Sequence, residues 1–325
     1  MKKILGLGNP LVDILTRLES DDLLTDLSLP KGSMQLVDQN VSGKIAANLK
    51  NDNRFLITGG SASNTICGLA KLGVPVGFAG KIGNDEIGAF FQADSEKNGI
   101  TSHLIQSNSP SGVCISLVSP DGERTMATCL GAACEMTSGD LREAVFSGYD
   151  YCHIEGYWVQ NQELILTAMQ MAKKCGLKIS LDLASYNVVL DNLDFLKQIA
   201  RDYVDILFAN EEEAKAFTGK EPEEALDEIA AICEIAVVKI GAQGSFIKRK
   251  DEKCKVEAMP DVACIDSTGA GDLYASGFLY GLTKGLPLQE CGRVGSIVSG
   301  NIIQVIGSKL DDEKWEAMKK VISCK

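Results

Sequence analysis

The sequence predicts an α/β fold: a doubly wound, mostly parallel sheet with helices on both faces and a small β-rich lid. Three observations predict it. Beyond residue 131, short apolar runs alternate with amphipathic stretches of helical spacing. Residues 266–272 form a loop of small residues that runs straight into an apolar helix. Between 112 and 130, two extended runs flank Pro120-Asp121-Gly122, a hairpin signal that a βα repeat does not need.

Taken in order, residues 4–8 read as a short buried strand closed by a turn at Asn9-Pro10. That places Asp13 near the strand's C-terminal edge, where open α/β sheets hold ligands. Residues 14–58 are irregular, with a strand candidate at 34–38 and a helix at 41–50. Gly59-Gly60-Ser61-Ala62-Ser63-Asn64 leads an amphipathic helix to Leu72, closed by Gly73. A strand is expected at 76–79 and a helix at 84–98. The hairpin strands fall at 113–118 and 124–130. The later strands are expected at 151–154, 178–182, 205–208 and 235–240. Helices are expected at 138–146, 161–175, 193–201, 211–218 and 223–232, and 271–325 is mainly helical. The expected division is an α/β core of 1–13, 59–111 and 131–325, with 112–130 and parts of 14–58 as the lid.

Composition sets the class. The chain has 325 residues, 45% of them hydrophobic and 23% charged, enough for a large core and an accessory piece. Net charge is −12 and no basic cluster stands out, which argues against a general nucleic-acid partner. The 11 Cys show no CxxC, and with two His a zinc site is not expected. Free thiols in a reducing cytosol are the simple reading, so a cytoplasmic location is expected. No apolar run reaches the ~18 residues of a membrane span. Asn9-Pro10 and Asp13 interrupt the N-terminal apolar run too early for a signal peptide.

The chemistry-bearing candidates are few. In Asp266-Ser267-Thr268-Gly269-Ala270-Gly271-Asp272, small residues expose backbone N–H groups at a positive helix end, which suits a phosphate. Asp272 then stands where an alcohol would attack that phosphate, although an acid at a helix start also serves as a plain cap. Gly59-Gly60 with Asn64 reads either as a turn before a helix or as a floor on which a hydroxyl-rich ligand lies. Asp13 is a surface acid, a cap, or a carboxylate able to take two neighbouring hydroxyls. Asn210-Glu211-Glu212-Glu213 is an acidic helix start of the kind the dipole favours. Lys239, Gly241 and Gly244 follow a strand. Arg124 lies on the hairpin's second strand. A dinucleotide fingerprint after the first strand is excluded, because Gly6-Leu7-Gly8-Asn9-Pro10-Leu11 lacks the third Gly. A Walker A loop is absent as well.

The stretch from Gly59 to Gly88, with Gly80-Lys81-Ile82-Gly83-Asn84-Asp85, resembles the N-terminal signature of the ribokinase-like (PfkB) family of sugar and nucleoside kinases. Residues 266–282 resemble its C-terminal signature, and the resemblance extends from 1 to about 310. It implies a three-layer ribokinase-like core using ATP and Mg2+. It implies Asp272 as general base, with the amides of Gly269, Ala270, Gly271 and Asp272 as an anion hole. Asp13, Gly59, Gly60 and Asn64 match positions that line or contact the sugar. Asn210 and Glu213 match an Asn-x-x-Glu motif in which the Glu organises water around Mg2+. Lys239, Gly241 and Gly244 match the nucleotide loop, with Lys where Thr is common. Arg124 matches a lid Arg that meets the γ-phosphate. Asp266 and Thr268, with a partner near Gly307-Ser308, match a site for a monovalent cation such as K+.

Within the family the chain is similar to bacterial adenosine-kinase-like members. Gly8-Asn9-Pro10-Leu11-Val12-Asp13, Asp121-Gly122-Glu123-Arg124-Thr125-Met126 and the segment 272–281 carry this, together with Glu155-Gly156-Tyr157-Trp158. The implied acceptor is a nucleoside 5′-hydroxyl, adenosine first and then inosine or guanosine. A free sugar such as ribose, fructose or a keto-deoxy acid is the alternative. A catalytically silent binding protein is a third reading, opposed by the intact Asp272, Gly269 and Gly271. The expected partners are small molecules only, with no nucleic acid and no membrane, in a monomer or a homodimer formed through the lid.

Overall fold

The structure is a computed structural model that describes residues 2–48, 55–121 and 123–323. In chain order the elements are β1 (Ile4–Leu7), β2 (Leu11–Arg17), α1 (Asp22–Asp26), β3 (Met34–Leu36), α2 (Gln39–Asn48), β4 (Phe55–Gly59) and α3 (Ser61–Lys71). There follow β5 (Val76–Gly83), α4 (Glu86–Lys97), β6 (Thr101–Ser107), β7 (Gly112–Val118), β8 (Arg124–Cys129), α5 (Glu143–Phe146), β9 (Tyr151–Glu155), α6 (Gln162–Lys174) and β10 (Lys178–Asp182). The chain continues through α7 (Tyr186–Asp191), α8 (Leu193–Tyr203), β11 (Ile206–Asn210), α9 (Glu211–Thr218), α10 (Pro222–Ala230) and β12 (Ile235–Lys239). It closes with β13 (Ser245–Arg249), β14 (Glu252–Val256), α11 (Ala270–Thr283), α12 (Leu288–Ile302) and α13 (Asp312–Ser323).

Nine strands form one sheet in the order β14-β13-β12-β11-β10-β9-β1-β5-β6. From β12 to β6 all pairs are parallel, and β13 and β14 extend one edge antiparallel. β1 sits between β5 and β9, so the chain winds outward on both sides of it. Such a reversal opens a crevice at the carboxyl ends of the strands. The sheet is buried on both faces because successive side chains alternate between two clusters. Leu5 and Leu7 join one with Leu207 and Ala209, while Ile4, Ile206 and Phe208 join the other. The second face packs α3 and α11, and α11 lies close against α12: a Cβ on Gly277 would stand 2.7 Å from the Val294 carbonyl oxygen.

The second sheet has five strands in the order β3-β8-β7-β2-β4. It answers to the predicted hairpin, whose strands β7 and β8 pair antiparallel. Gly122 at its turn and residues 49–50 of the predicted helix 41–50 lie outside the described residues. The chain passes from the first sheet to the second at residues 8–10, not at 13, because Asn9-Pro10 ends β1 and β2 begins at once. Asp13 is therefore not at the edge of the first strand. It lies inside β2, opposite Ile57 of β4 and Cys114 of β7.

Other boundaries move for local reasons. The strand expected at 76–79 runs on through Gly80 to Gly83. Those glycines admit neighbours instead of making a turn: a Cβ on Gly80 would lie 2.7 Å from the Gly8 carbonyl oxygen. The helix expected from 84 starts at Glu86, because the Asp85 carboxylate caps the Gly88 amide at 2.8 Å. The helix expected over 138–146 breaks into a 3-10 turn, Ser138–Asp140, and α5. A reciprocal cap between Thr137 and Asp140 closes that turn. Among the described residues, no helix is long and apolar enough to cross a membrane.

Candidate active site

Four adjacent parallel strands end in polar residues: Glu155 on β9, Asp182 on β10, Asn210 on β11 and Lys239 on β12. Each closes a largely buried strand, and the register sets Glu155 beside Asp182 and Asn210 beside Lys239. Facing this row is the turn 266–269, from which α11 rises. Between them lies a cavity of about 1100 Å³, lined by Asp182, Glu213, Lys239, Gly271, Asp272 and Ser61 among others. That is ample room for a nucleotide.

Asp272 is in the first turn of α11, and two side chains of α3 hold its carboxylate. Ser61 Oγ donates to Oδ1 at 2.7 Å and Asn64 Nδ2 to Oδ2 at 3.0 Å. Ser308 Oγ donates to Asn64 Oδ1 at 3.0 Å, which fixes the amide's orientation. Burial pushes the Asp272 carboxyl up to about 6, against the bonds from Asn64 and Ser61 that pull it down. At neutral pH it is an ionised, oriented carboxylate at a cavity wall. It is able to accept a proton from a bound alcohol.

The turn before it is shaped for an anion. Gly269 adopts φ +75° at the helix start, a region unfavourable for side chains, and a Cβ there would meet Ser308 Cβ at 2.9 Å. The four expected amides are not equivalent. The Ala270 amide already donates to the Ser267 carbonyl at 3.1 Å, so it is withdrawn from the hole. Among the described residues, no protein acceptor takes the amides of Gly269, Gly271 or Asp272. Asp266 secures the turn from behind. Its Oδ1 accepts from the Thr268 amide and hydroxyl at 3.0 and 2.7 Å, and Oδ2 accepts from the Gly307 amide at 2.7 Å. Asp266 and Thr268, expected around a monovalent cation, are engaged here in fastening the loop.

Asn210 and Glu213 form a reciprocal helix cap on α9. The Asn210 amide and Nδ2 donate to the two Glu213 carboxylate oxygens, both at 2.7 Å, and the Glu213 amide returns a bond to Asn210 Oδ1 at 2.8 Å. Burial, then the charge of Asp182, pushes Glu213 up to about 7. With both oxygens already accepting from Asn210, Glu213 suits contact with a metal through water better than direct ligation. No group of three or more His, Cys, Asp or Glu among the described residues is arranged to hold a metal by itself.

Gly241 and Gly244 line the same cavity, as the nucleotide-loop expectation has it, together with Met259, Gly300 and Ile303. Lys239 lines the cavity with them. It is the last residue of β12, with its side chain 14% exposed and its ammonium 2.9 Å from Asp182 Oδ2.

The acceptor candidates connect to Asp272 through the start of α3. Gly60 holds φ +94° in the turn before α3, and a Cβ there would lie 2.2 Å from the Asn9 carbonyl oxygen. A Cβ on Gly59 would meet Asp13 Oδ2 at 2.7 Å. Asp13, Gly59, Gly60, Ser61 and Asp272 thus form one continuous path from the second sheet to the cavity. Arg124 belongs to β8, and its side chain lies outside what the structure describes.

Sequence reasoning missed Glu155, Asp182 and Ser61. Glu155 is 1% exposed and accepts from the amides of Asn9 and Ala62 at 2.9 and 3.1 Å. It joins β9 to the turn after β1 and to the start of α3. The available signal was the shared pattern of a mostly apolar strand ending in an acid, which puts that residue at the ligand edge.

Comparison with known proteins gives the family. A family model described as pfkB family carbohydrate kinase matches residues 37–315. A crystal structure of a probable sugar kinase protein from Rhizobium etli is 33% identical, covers 98% of both chains and superposes with a TM-score of 0.87. An adenosine kinase structure from Sinorhizobium meliloti is 30% identical, covers 98% of this chain and 99% of its own, and has the same TM-score of 0.87. Adenosine kinase from Schizophyllum commune is 25% identical over 96% of this chain and 97% of its own length.

Proposed function

Because the chain belongs to the pfkB family of carbohydrate kinases, we propose that it transfers the γ-phosphate of ATP to the 5′-hydroxyl of a nucleoside, adenosine first. At the coarser level the chain is a PfkB kinase of a nucleoside or sugar with a ribokinase-like α/β fold. One observation carries the chemical part: Asp272, oriented by Ser61 and Asn64 of the helix that follows Gly59–Gly60, lines the large cavity. ATP would lie in the cavity with its terminal phosphate at the amides of Gly269, Gly271 and Asp272. The acceptor alcohol would lie on the Gly59–Gly60 floor, with Asp13 taking its vicinal diol. Asp272 removes the proton as the oxygen attacks phosphorus. Mg2+, when bound with the nucleotide, neutralises phosphate charge, and Glu213 with Asn210 would order its water shell.

The nucleoside reading draws support from the Sinorhizobium likeness and from Leu36, a 62% exposed apolar side chain on β3 of the second sheet. An apolar surface of that sort is what a base needs and a free sugar does not. The sugar-kinase reading draws support from the Rhizobium likeness at 33% identity. A panel of nucleosides and free sugars, assayed with Mg-ATP for ADP release and product mass, separates them. Phosphorylation of adenosine with ribose refused is the expected result. Phosphorylation of ribose or another free sugar alone overturns the nucleoside assignment. Silence across the panel overturns the adenosine assignment too.

A further inference from the structure

We propose that Lys239 is a clamp for the terminal phosphate, an ammonium docked on Asp182 at the cavity floor and shared with the phosphate when the nucleotide binds. The inference rests on the kinase reading above and deepens it.

The position is the first argument. An ideal Cβ on Gly271 would lie 3.0 Å from Lys239 Nζ, so the ammonium sits directly against the small-residue turn. Gly269, Gly271 and Asp272, whose amides take no protein acceptor among the described residues, line the same cavity as Lys239. A phosphate oxygen drawn to those amides would come within reach of Nζ. Gly271 leaves that approach clear because it has no side chain.

The second argument is charge. A lysine 14% exposed loses hydration, and burial alone would drive it toward the neutral form. The carboxylates of Asp182, Glu213 and Asp272 outweigh that burial and hold Lys239 above its ordinary value. It is therefore a permanent cation on the floor of a site, facing the carboxylates of Asp182, Glu213 and Asp272. Asp182 is prepared to hold it. Oδ1 of Asp182 accepts from the Ala184 amide at 3.0 Å, which leaves Oδ2 for Lys239 at 2.9 Å. Ala184 keeps φ +69° to make that bond, a conformation that side chains adopt rarely. Of the ammonium's three donors only the one to Asp182 is matched by a hydrogen bond among the described residues. The other two are available to a ligand.

A purely structural ion pair would tie β10 to β12 and nothing more. The two roles differ in what they do to nucleotide selectivity. The experiment is isothermal titration of ADP and of the β,γ-imido analogue of ATP, each with Mg2+, into wild type, Lys239→Met and the double variant Lys239→Met/Asp182→Asn. The double variant removes both charges, so no unpaired carboxylate is left buried to unfold the protein. Circular dichroism and thermal unfolding report on the fold. The expected result is that wild type prefers the imido analogue, and that this preference falls about tenfold or more in the double variant while ADP affinity changes by less than about threefold. Equal weakening of both nucleotides, or unchanged preference, overturns the clamp and leaves a structural pair. If wild type binds neither nucleotide, the kinase reading itself fails, and that result is distinct from either.

Discussion

The two sheets present their polar residues differently. In the nine-stranded sheet a strand such as β9 is buried along its whole length and ends in its one acid, Glu155. In the five-stranded sheet a strand such as β2 is buried at every second residue and carries Asp13 in its middle. The first arrangement fixes a group by packing on both faces and delivers it to one edge. The second spreads groups over a face that a ligand can approach broadside. This difference divides the proposed work: phosphate chemistry at the strand ends and turn of the large sheet, acceptor recognition on the small one.

The largest expected effect tests the large-sheet side of that division. Asp272→Asn keeps a side chain that can meet Ser61 and Asn64 but loses the base. A drop in kcat of about 10²–10⁴ is expected, the usual worth of one acid–base group. ATP binding should change little. Turnover near wild type would remove Asp272 from the chemistry and with it the claim that the large sheet houses it. The matching test on the small sheet is Asp13→Ala. Loss of charge-assisted hydrogen bonds to a diol should raise the acceptor's KM about 10- to 100-fold, with the KM for ATP unchanged. An effect on ATP instead of the acceptor would erase the division between the sheets.

The same contrast explains what the sequence disclosed. The strands β11 and β12 were legible because burial on both faces leaves unbroken apolar runs, as in Ile-Leu-Phe-Ala before Asn210, and β9 and β10 keep most of that pattern around His153 and Ser180. β2 was not. Its buried set is Val12, Ile14 and Thr16, while Leu15 faces outward, so polarity and orientation do not match. β4 was hidden for a similar reason, since Phe55 and Leu56 are exposed. At the site, Asp272 was legible because its loop has a composition few other loops share. Asp182 and Glu155 were not, because a single acid after an apolar run has many uses, and only the sheet order sets four such ends side by side. Lys239 was legible as a nucleotide-site candidate from the glycines that follow it, but its ion pair with Asp182 was not, because only the sheet order brings β10 near β12.

A smaller effect comes from pH. Asp272 must be ionised to accept a proton, and burial raises it to about 6. Below that value the protonated form dominates, so kcat/KM should fall about five- to sixfold as pH drops from 6 to 5 and approach tenfold per unit below that. Above it the limb should flatten. Asp13→Ala should lower the whole curve for the acceptor and leave the acid limb where it is, because Asp13 belongs to the other sheet. A limb that moves with Asp13→Ala would tie the two sheets together electrostatically and blur the comparison. The measurement is a pH profile of initial rates with ATP saturating.

The smallest effect concerns the seam between the sheets. Glu155 ends β9 yet does not line the cavity. Its carboxylate accepts from Asn9, where the chain leaves the large sheet, and from Ala62, at the start of α3. Burial pushes it up to about 8, in spite of those two bonds. Its folded value is thus above the ordinary one, and the folded state binds the extra proton. The stability this contributes is fully present below about 4.5 and is lost as pH rises through about 8. Glu155→Gln turns an amide NH2 toward an N–H donor and leaves one of the two amides without an acceptor, at a cost of about 1–3 kcal/mol at pH 6. At pH 9 the wild type must bury a charge there and the variant need not. The gap between them should therefore narrow between pH 6 and pH 9 in urea unfolding. A gap that stays constant or widens would show that Glu155 is ionised throughout, and the seam would then be an ionic joint, not a neutral one.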